Sequence, residues 1–593
     1  MVANRSSITA IAMLLVTIPV ALAQSIADSA FEKISEAFVE DLSILSPVAA
    51  TLTGDHRRDD ALDQVGADGR AANIRILQQR LSELQSIDRR SLSRANQVDA
   101  DLLLNEIESR LWRLETLQEW AWNPLVYVEI SGDALYGLMA RDFAPLPERL
   151  ESAASRLEQL PRFFDQTRAS LQAQRVPKIH AETAIQQNPG LNSIIENMIE
   201  PHMDSLSGEF KFRLQSALAT AETAISEHQA WLENELSLRA TGNFRIGAAL
   251  FDSKLQFTLN SPLSKREIRT RAENEYVAVR EQMYQIAKAL YAGQYPFTSF
   301  PDSPDEAYKQ VIIRTALEKA YQRLPEPDGI VALASDNLKQ ATAFVRERNL
   351  VTVPEEPVEI IVMPEFRRGV TLTYLDQAGP LDTGQKSFYA VAPLPADWTQ
   401  DQVHSFLREY NLFSVQNLTI HEAVPGHYLQ LALGNRYPSV LRSILWSGPF
   451  VEGWAVYAER MMIEAGYLDN DPLMRLIVLK WYLRAVTNAI IDQAIHVDGM
   501  SRDAAMNLMI EGGFQEDREA AGKWVRAQLT ATQLSTYFVG FQEHMDMRAA
   551  VESAWGEEFT LRRYHDQALS YGSPSVKYVR ALMLNEAIPQ RAQ

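Results

Sequence analysis

Residues 417–434, NLTIHEAVPGHYLQLALG, decide how the rest of this chain is read. The flanks are apolar and helix-forming. Between them lie a His-Glu pair, His421 and Glu422, then Pro425 and Gly426, then a second histidine, His427. Helical zinc hydrolases usually place two histidines four apart, which puts both imidazoles on one side of a helix. Here the spacing is six, about 600° of rotation and so about 120° out of line on a regular helix. Pro425 changes this, because it offers no N–H to the carbonyl of His421 and its ring clashes there. Gly426 can take backbone angles closed to other residues. A local bulge or kink is therefore predicted, turning His421 and His427 back toward one point. A plainer reading has Pro-Gly simply ending one helix.

Two imidazoles do not complete a catalytic zinc site, which takes three protein ligands and keeps one position open. Downstream, residues 448–466 read GPFVEGWAVYAERMMIEAG. Val451, Ala455, Ala458 and Met462 form one helical stripe. Glu452 opens that helix among apolar and aromatic neighbours, where a lone carboxylate is costly and needs a partner. Glu459, two turns on, shares its face and suits either a ligand or an acceptor for a histidine N–H. The chain has no cysteine, so ligands must be His, Asp or Glu. One zinc ion is the cofactor this set predicts; in the plainer reading Glu452 caps its helix.

The two segments together resemble a bacterial family called domain of unknown function 885, itself similar to gluzincin metallopeptidases. Its first hallmark, His-Glu-Ala-x-Pro-Gly-His-x-x-Gln, is matched by His421, Glu422, Ala423, Pro425, Gly426, His427 and Gln430. Its second, Glu-Gly-Trp-Ala-x-Tyr-x-Glu, is matched by Glu452, Gly453, Trp454, Ala455, Tyr457 and Glu459. The similarity continues through LRAVTNAIIDQAIHVDGMS (483–501) to FTLRRYHDQALSYGSPSV (559–576). The resemblance implies a mainly α, large helical zincin-like fold with a deep cleft, like the oligopeptidases related to neurolysin and angiotensin-converting enzyme, with one small β-sheet. It implies His421, His427 and Glu452 as zinc ligands at about 2.0–2.2 Å. Glu422 is then the general base that passes a proton to the leaving amine. Tyr537 and His565 are its candidates for holding the oxyanion.

Other residues are read from spacing alone. Asp492 and His496 lie four apart on one helix face, as a pair behind the site or an ordinary helix contact. Arg484 and Arg580 are candidates for a substrate carboxylate. The function expected is an exported zinc-dependent peptidase acting on short peptides. A zinc amidase or esterase, or a non-catalytic binding protein on the same scaffold, uses the same ligands. An intact Glu422 speaks against the last.

Outward from the motif, residues 357–392 change character. VEIIVM, GVTLTYLD and SFYAVAP are short, β-branched and aromatic, and predict a small antiparallel sheet. Such a sheet could present a strand edge to extended substrate, with Tyr374 or Tyr389 reaching the site. Thr399 and Gln402 fit a capping box, after which helices resume. Residues 24–290 read as an N-terminal helical lobe. Its stripes include Leu104, Ile107, Leu111 and Leu114, and Leu214, Leu218, Ala221 and Ile225. Breaks are expected at GDHRRDD, EISGD, QNPG and TGN. A Pro-rich stretch at 291–308 separates this lobe from a catalytic lobe, 291–593.

The 593 residues carry a formal charge of −19, which excludes nucleic acid as the main partner. The first 23 residues match a cleavable signal peptide, with Arg5 as its basic start, an apolar run over 8–20 and cleavage after Ala23. The run is short and contains Pro19, so no lasting membrane anchor is expected. Without cysteine there is no disulfide and no thiol for a lipid, which suits a periplasmic or secreted protein.

Overall fold

The computed structural model describes residues 7–363, 372–395 and 398–591; for 7–25 and Ser205 it describes backbone only. Arg5 of the expected leader lies outside the described residues. A first helix, α1 (Ser7–Leu45), runs through Ala23. No described helix is long and apolar enough to cross a membrane.

The chain is mainly helical with one three-stranded sheet. In α2 (Arg94–Trp112), capped by Ser93, Ile107 and Leu111 are buried while Leu104 packs at the margin. The predicted break at EISGD is absent, because α3 (Leu125–Met139) runs through it. Gly132 costs that helix about 1 kcal/mol. Burial of Ala134, Leu135, Tyr136 and Leu138 outweighs the cost. Helices α4 (Leu146–Ser170) and α5 (Gly208–Trp231) pack together and bury Leu214, Leu218, Ala221 and Ile225 as their spacing predicts.

Helix α6 (Lys265–Gln294) opens on a Ser264–Glu267 capping box. The Pro-rich stretch does break the chain after it. Packing, however, assigns α6 to the C-terminal core, which runs from Phe251 to Met583. The N-terminal core, by contrast, spans Val48 to Ala240. Pro-rich sequence marks a turn, and only the apolar faces decide which core a helix joins.

The sheet holds β1 (Val358–Val362), β2 (Thr373–Asp376) and β3 (Ser387–Val391) in the order β1-β3-β2. It is mixed, not antiparallel: β1 runs parallel to β3, and β2 antiparallel to it. β-Propensity fixes that a segment is a strand, while direction depends on the connections, which composition does not reveal. Residues 369–371 of the expected second strand lie outside the described residues. The Thr399–Gln402 capping box forms at the head of the helix Gln400–Glu409.

Seven further helices build the site: α7 (Leu412–Glu422), α8 (His427–Gly434), α9 (Gly448–Glu464), α10 (Pro472–His496), α11 (Asp517–Leu529), α12 (Ser535–Trp555) and α13 (Leu561–Leu569). Helix α10 is buried on nearly every side, which is why its sequence shows no polar face. Helices α9 and α12 cross at Gly453 and Gly540, where a Cβ on either would enter opposing backbone.

Candidate metal centre

The Pro-Gly step divides two helices instead of bulging one. Helix α7 stops at Glu422, Ala423 leaves helical angles (φ −115°, ψ −92°), and α8 starts at His427. The connection folds back on itself, with Leu429 N–H donating to the Ala423 carbonyl at 3.3 Å. A Cβ at Gly426 would fall far inside contact distance of the Ile420 and His421 carbonyl oxygens, so the turn closes only around glycine. Trp454 Nε1–H on α9 donates to the Pro425 carbonyl at 2.8 Å and ties the turn to the second motif. Glu452 is not the cap of α9; Ser447 is, accepting from Phe450 N–H.

Across this turn the two imidazoles meet. Their ring centroids are 4.7 Å apart and nearly perpendicular, at 87°. Glu452 Oε2 lies 3.4 Å from His427 Nε2 and 3.8 Å from His421 Nε2. Ligand atoms at about 2.0–2.1 Å from one tetrahedral ion stand about 3.3 Å from each other, so the triangle has the size a zinc ion requires. Among the described residues these three form the one group of metal-ligating side chains within 4.8 Å of one another. Their side chains are 11–22 % exposed, leaving an approach from solvent.

Glu459 serves behind the triangle. Its Oε1 accepts from His421 Nδ1–H at 2.7 Å and its Oε2 from Asn417 Nδ2 at 2.6 Å. Asn417 and His421 are four apart on α7 and so present one face. A carboxylate can only accept here, so His421 holds its hydrogen on Nδ1 and turns the Nε2 lone pair to the centre. Glu459→Gln is expected to weaken zinc binding about 10–100-fold, measured by chelator competition.

Without a cation the charges are unbalanced. Burial opposes charge on His421, yet Glu452 and Glu459 outweigh it and hold its pKa well above the usual histidine value. Burial works on Glu452 in the opposite sense and is likewise overcome, by His421 and His427, so that its pKa is strongly depressed. With its folded pKa raised, protonation of His421 contributes stability that is lost as pH rises through the raised value. A zinc ion held here would compete with a proton on His421, so its affinity is expected to rise as pH rises. Calorimetry in buffers of differing ionisation heat reads this directly.

Glu422 is half-buried beside His421, and Thr373 on β2 donates to its Oε1 at 3.3 Å. The alternation of β2 sends Tyr374 the other way, toward Tyr136. Tyr389 is fully buried, its hydroxyl 3.4 Å from Thr419 Oγ1 beneath α7. Tyr537, on α12, accepts from Arg526 at 3.0 Å and from Gln533 at 3.4 Å. Tyr537 lies three residues before Gly540, where α12 crosses α9 next to Glu452.

His565, on α13, is held elsewhere. Its Nδ1–H donates to the Leu350 carbonyl at 2.7 Å, so its Nε2 must accept from Tyr457 O–H at 2.8 Å. It is fully buried, and burial pushes its pKa down to about 4. Neither nitrogen is left to donate to an oxyanion, so this candidate is corrected to a packing role. Asp492 and His496 do not bond to each other. Asp492 accepts from Thr532 N–H, Ser535 N–H and Ser535 O–H, fixing the start of α12. His496 Nε2–H donates to the Ala527 and Thr530 carbonyls, holding the end of α11. Arg484 pairs with Glu519 and stacks on Trp481, and Arg580 pairs with Glu586. Sequence reasoning missed Asn417, Thr373 and Arg526, and matched Trp454 to a motif without giving it a contact. Asn417, four residues before His421, was within reach of helix spacing; the other three meet the site only through the fold.

Comparison with known proteins bears out the family resemblance. A family model described as "Bacterial protein of unknown function (DUF885)" matches residues 47–583. A solved structure of "a putative lipoprotein of unknown function" from Shewanella oneidensis is 32% identical over 93% of this chain and 99% of that chain, with a TM-score of 0.78. A "putative lipoprotein" from Colwellia psychrerythraea, 16% identical, covers 94% of this chain and 98% of that chain at a TM-score of 0.75 and shows the shared fold. No curated protein matches. On the family match across nearly its whole length, this chain belongs to the bacterial family of proteins of unknown function DUF885.

Proposed function

We propose that this protein is an exported zinc-dependent peptidase of the gluzincin type that hydrolyses short peptides, in a zincin-like fold whose cleft opens at the triangle. The observation that carries the reading is the convergence of His421, His427 and Glu452 at zinc-sized separations, with Glu459 orienting His421. A zinc ion held there would lower the pKa of a water molecule and polarise the scissile carbonyl.

The chain's own residues supply the rest. Glu422 is half-exposed, adjoins His421 in sequence and is outside the ligand triangle, so its carboxylate is free to take a proton and return it to the leaving amine. Tyr537 is the better oxyanion donor of the two expected, because both of its described hydrogen bonds are accepted and its own O–H remains to donate. Export is supported by the leader-like N-terminus and by relatives described as lipoproteins, although this chain has no cysteine to carry a lipid.

The test is metal analysis of the purified protein, followed by digestion of a mixed peptide library with mass-spectrometric mapping of products. One zinc per chain and cleavage that stops on Glu422→Gln support the peptidase. Zinc with turnover of esters or non-peptide amides alone moves the reading to another hydrolase. Absence of bound zinc sinks both.

A further inference from the structure

Beside the metal centre the balance of charge is unusual. On α11, Glu519, Lys523 and Arg526 are spaced four and three apart and share one face. That face meets α10, because Glu519 pairs with Arg484. Lys480, one turn before Arg484, pairs with Glu409 at 2.8 Å. Those two ion pairs leave Lys523 and Arg526 without a carboxylate partner among the described residues. Lys523 is 4 % exposed and makes no hydrogen bond or ion pair there. Nη1 of Arg484 is likewise buried without an acceptor. Arg526 bonds only to the neutral Tyr537 and Gln533.

A buried ammonium whose neighbouring carboxylates, Glu519 and Glu409, are already paired with Arg484 and Lys480 is costly. Burial first, then Arg484 and Arg526, hold the Lys523 pKa well below the lysine range. A fold keeps such a group where a ligand supplies the missing charge. The rim is reachable, since Trp481, Arg484, Arg526 and Tyr537 are all half-buried. Arg526 joins the cluster to the centre through Tyr537, which lies on α12 three residues before its crossing with α9 at Gly453, next to Glu452.

We propose that Lys523, with Arg484 and Arg526, forms a cationic subsite beside the metal centre that takes a carboxylate of the substrate. On the peptidase reading, on which the substrate's identity rests, this is the carboxylate of a peptide: its C-terminus, or an Asp or Glu side chain. Arginines can grip a carboxylate through two parallel N–H bonds, while lysine supplies a point charge.

The test uses the full chain as purified. Millimolar glutarate is expected to raise the melting temperature of the wild type but not of Lys523→Met. Lys523→Met alone is expected to be at least as stable as wild type, because it removes an uncompensated buried charge without changing much volume. Lys523→Arg, which keeps the charge, is expected to retain the glutarate response. Peptide pairs with free and amidated C-termini, with and without an acidic side chain, then identify the source. Loss of whichever carboxylate binds is expected to lower kcat/KM about tenfold or more in wild type, the scale of a charge-assisted hydrogen bond, and much less in Lys523→Met. A full glutarate response in Lys523→Met, or a Lys523→Met protein less stable than wild type, overturns the subsite. If glutarate behaves as expected and no peptide is cleaved, the subsite stands and the peptidase reading falls.

Discussion

Replacing Glu422 by glutamine is expected to lower peptide cleavage by about 10²–10⁴-fold while zinc content stays at one per chain. The substitution keeps shape and keeps an oxygen to accept from Thr373 Oγ1, so the turn and the strand beside it are undisturbed. Glu422 is not part of the ligand triangle, so the metal has no reason to leave. What is lost is the one carboxylate beside the triangle free to carry a proton from water to the leaving nitrogen. The loss therefore falls on kcat, with KM little changed. Zinc analysis and steady-state kinetics on one preparation separate the outcomes. Retained cleavage in this variant would mean that another group is the base. Lost zinc would mean that Glu422 ligates, and the assignment of Glu452 would need revision.

The second large effect is structural. Gly426→Ala is expected to cost about 1–3 kcal/mol of stability and to weaken zinc binding more than tenfold. The added methyl meets the carbonyl oxygens of Ile420 and His421, rigid backbone that cannot swing aside. Relief requires opening the connection between α7 and α8, and that moves His427 off the point shared with His421 and Glu452. Urea unfolding and zinc titration measure the two losses. Gly132→Ala is the control: it sits mid-helix in α3 with open space around its Cβ position, and should be neutral or gain about 0.5–1 kcal/mol. If both variants behave alike, the close approach at Gly426 does not hold the centre.

The site was more legible than the fold around it. His421, His427 and Glu452 were marked by residue type and spacing, and Glu459 by sharing a helix face with Glu452. Pro-Gly announced a departure from helix without saying whether a bulge or two helices would result, since both satisfy the same local rules. His565 entered through the family resemblance; only its two partners, Leu350 and Tyr457, distant in sequence, show that its nitrogens are engaged. Arg526 and Lys523 belong to no motif, and sequence gives the face they share but not what that face meets. The core that α6 joins is hidden for the same reason: α6 reads as one more amphipathic helix until its partner α10 is known.

The crossing of Gly453 and Gly540 has a mechanical consequence. Where two backbones touch with no side chains between them, there are no rotamers to yield, and the joint has no slack. Glu452 precedes Gly453 by one residue and Tyr537 precedes Gly540 by three, so the two are mounted on a single stiff bracket. Whatever breathing admits and releases a ligand must come from the opposite wall, where Glu422 leans on a strand of a three-stranded sheet.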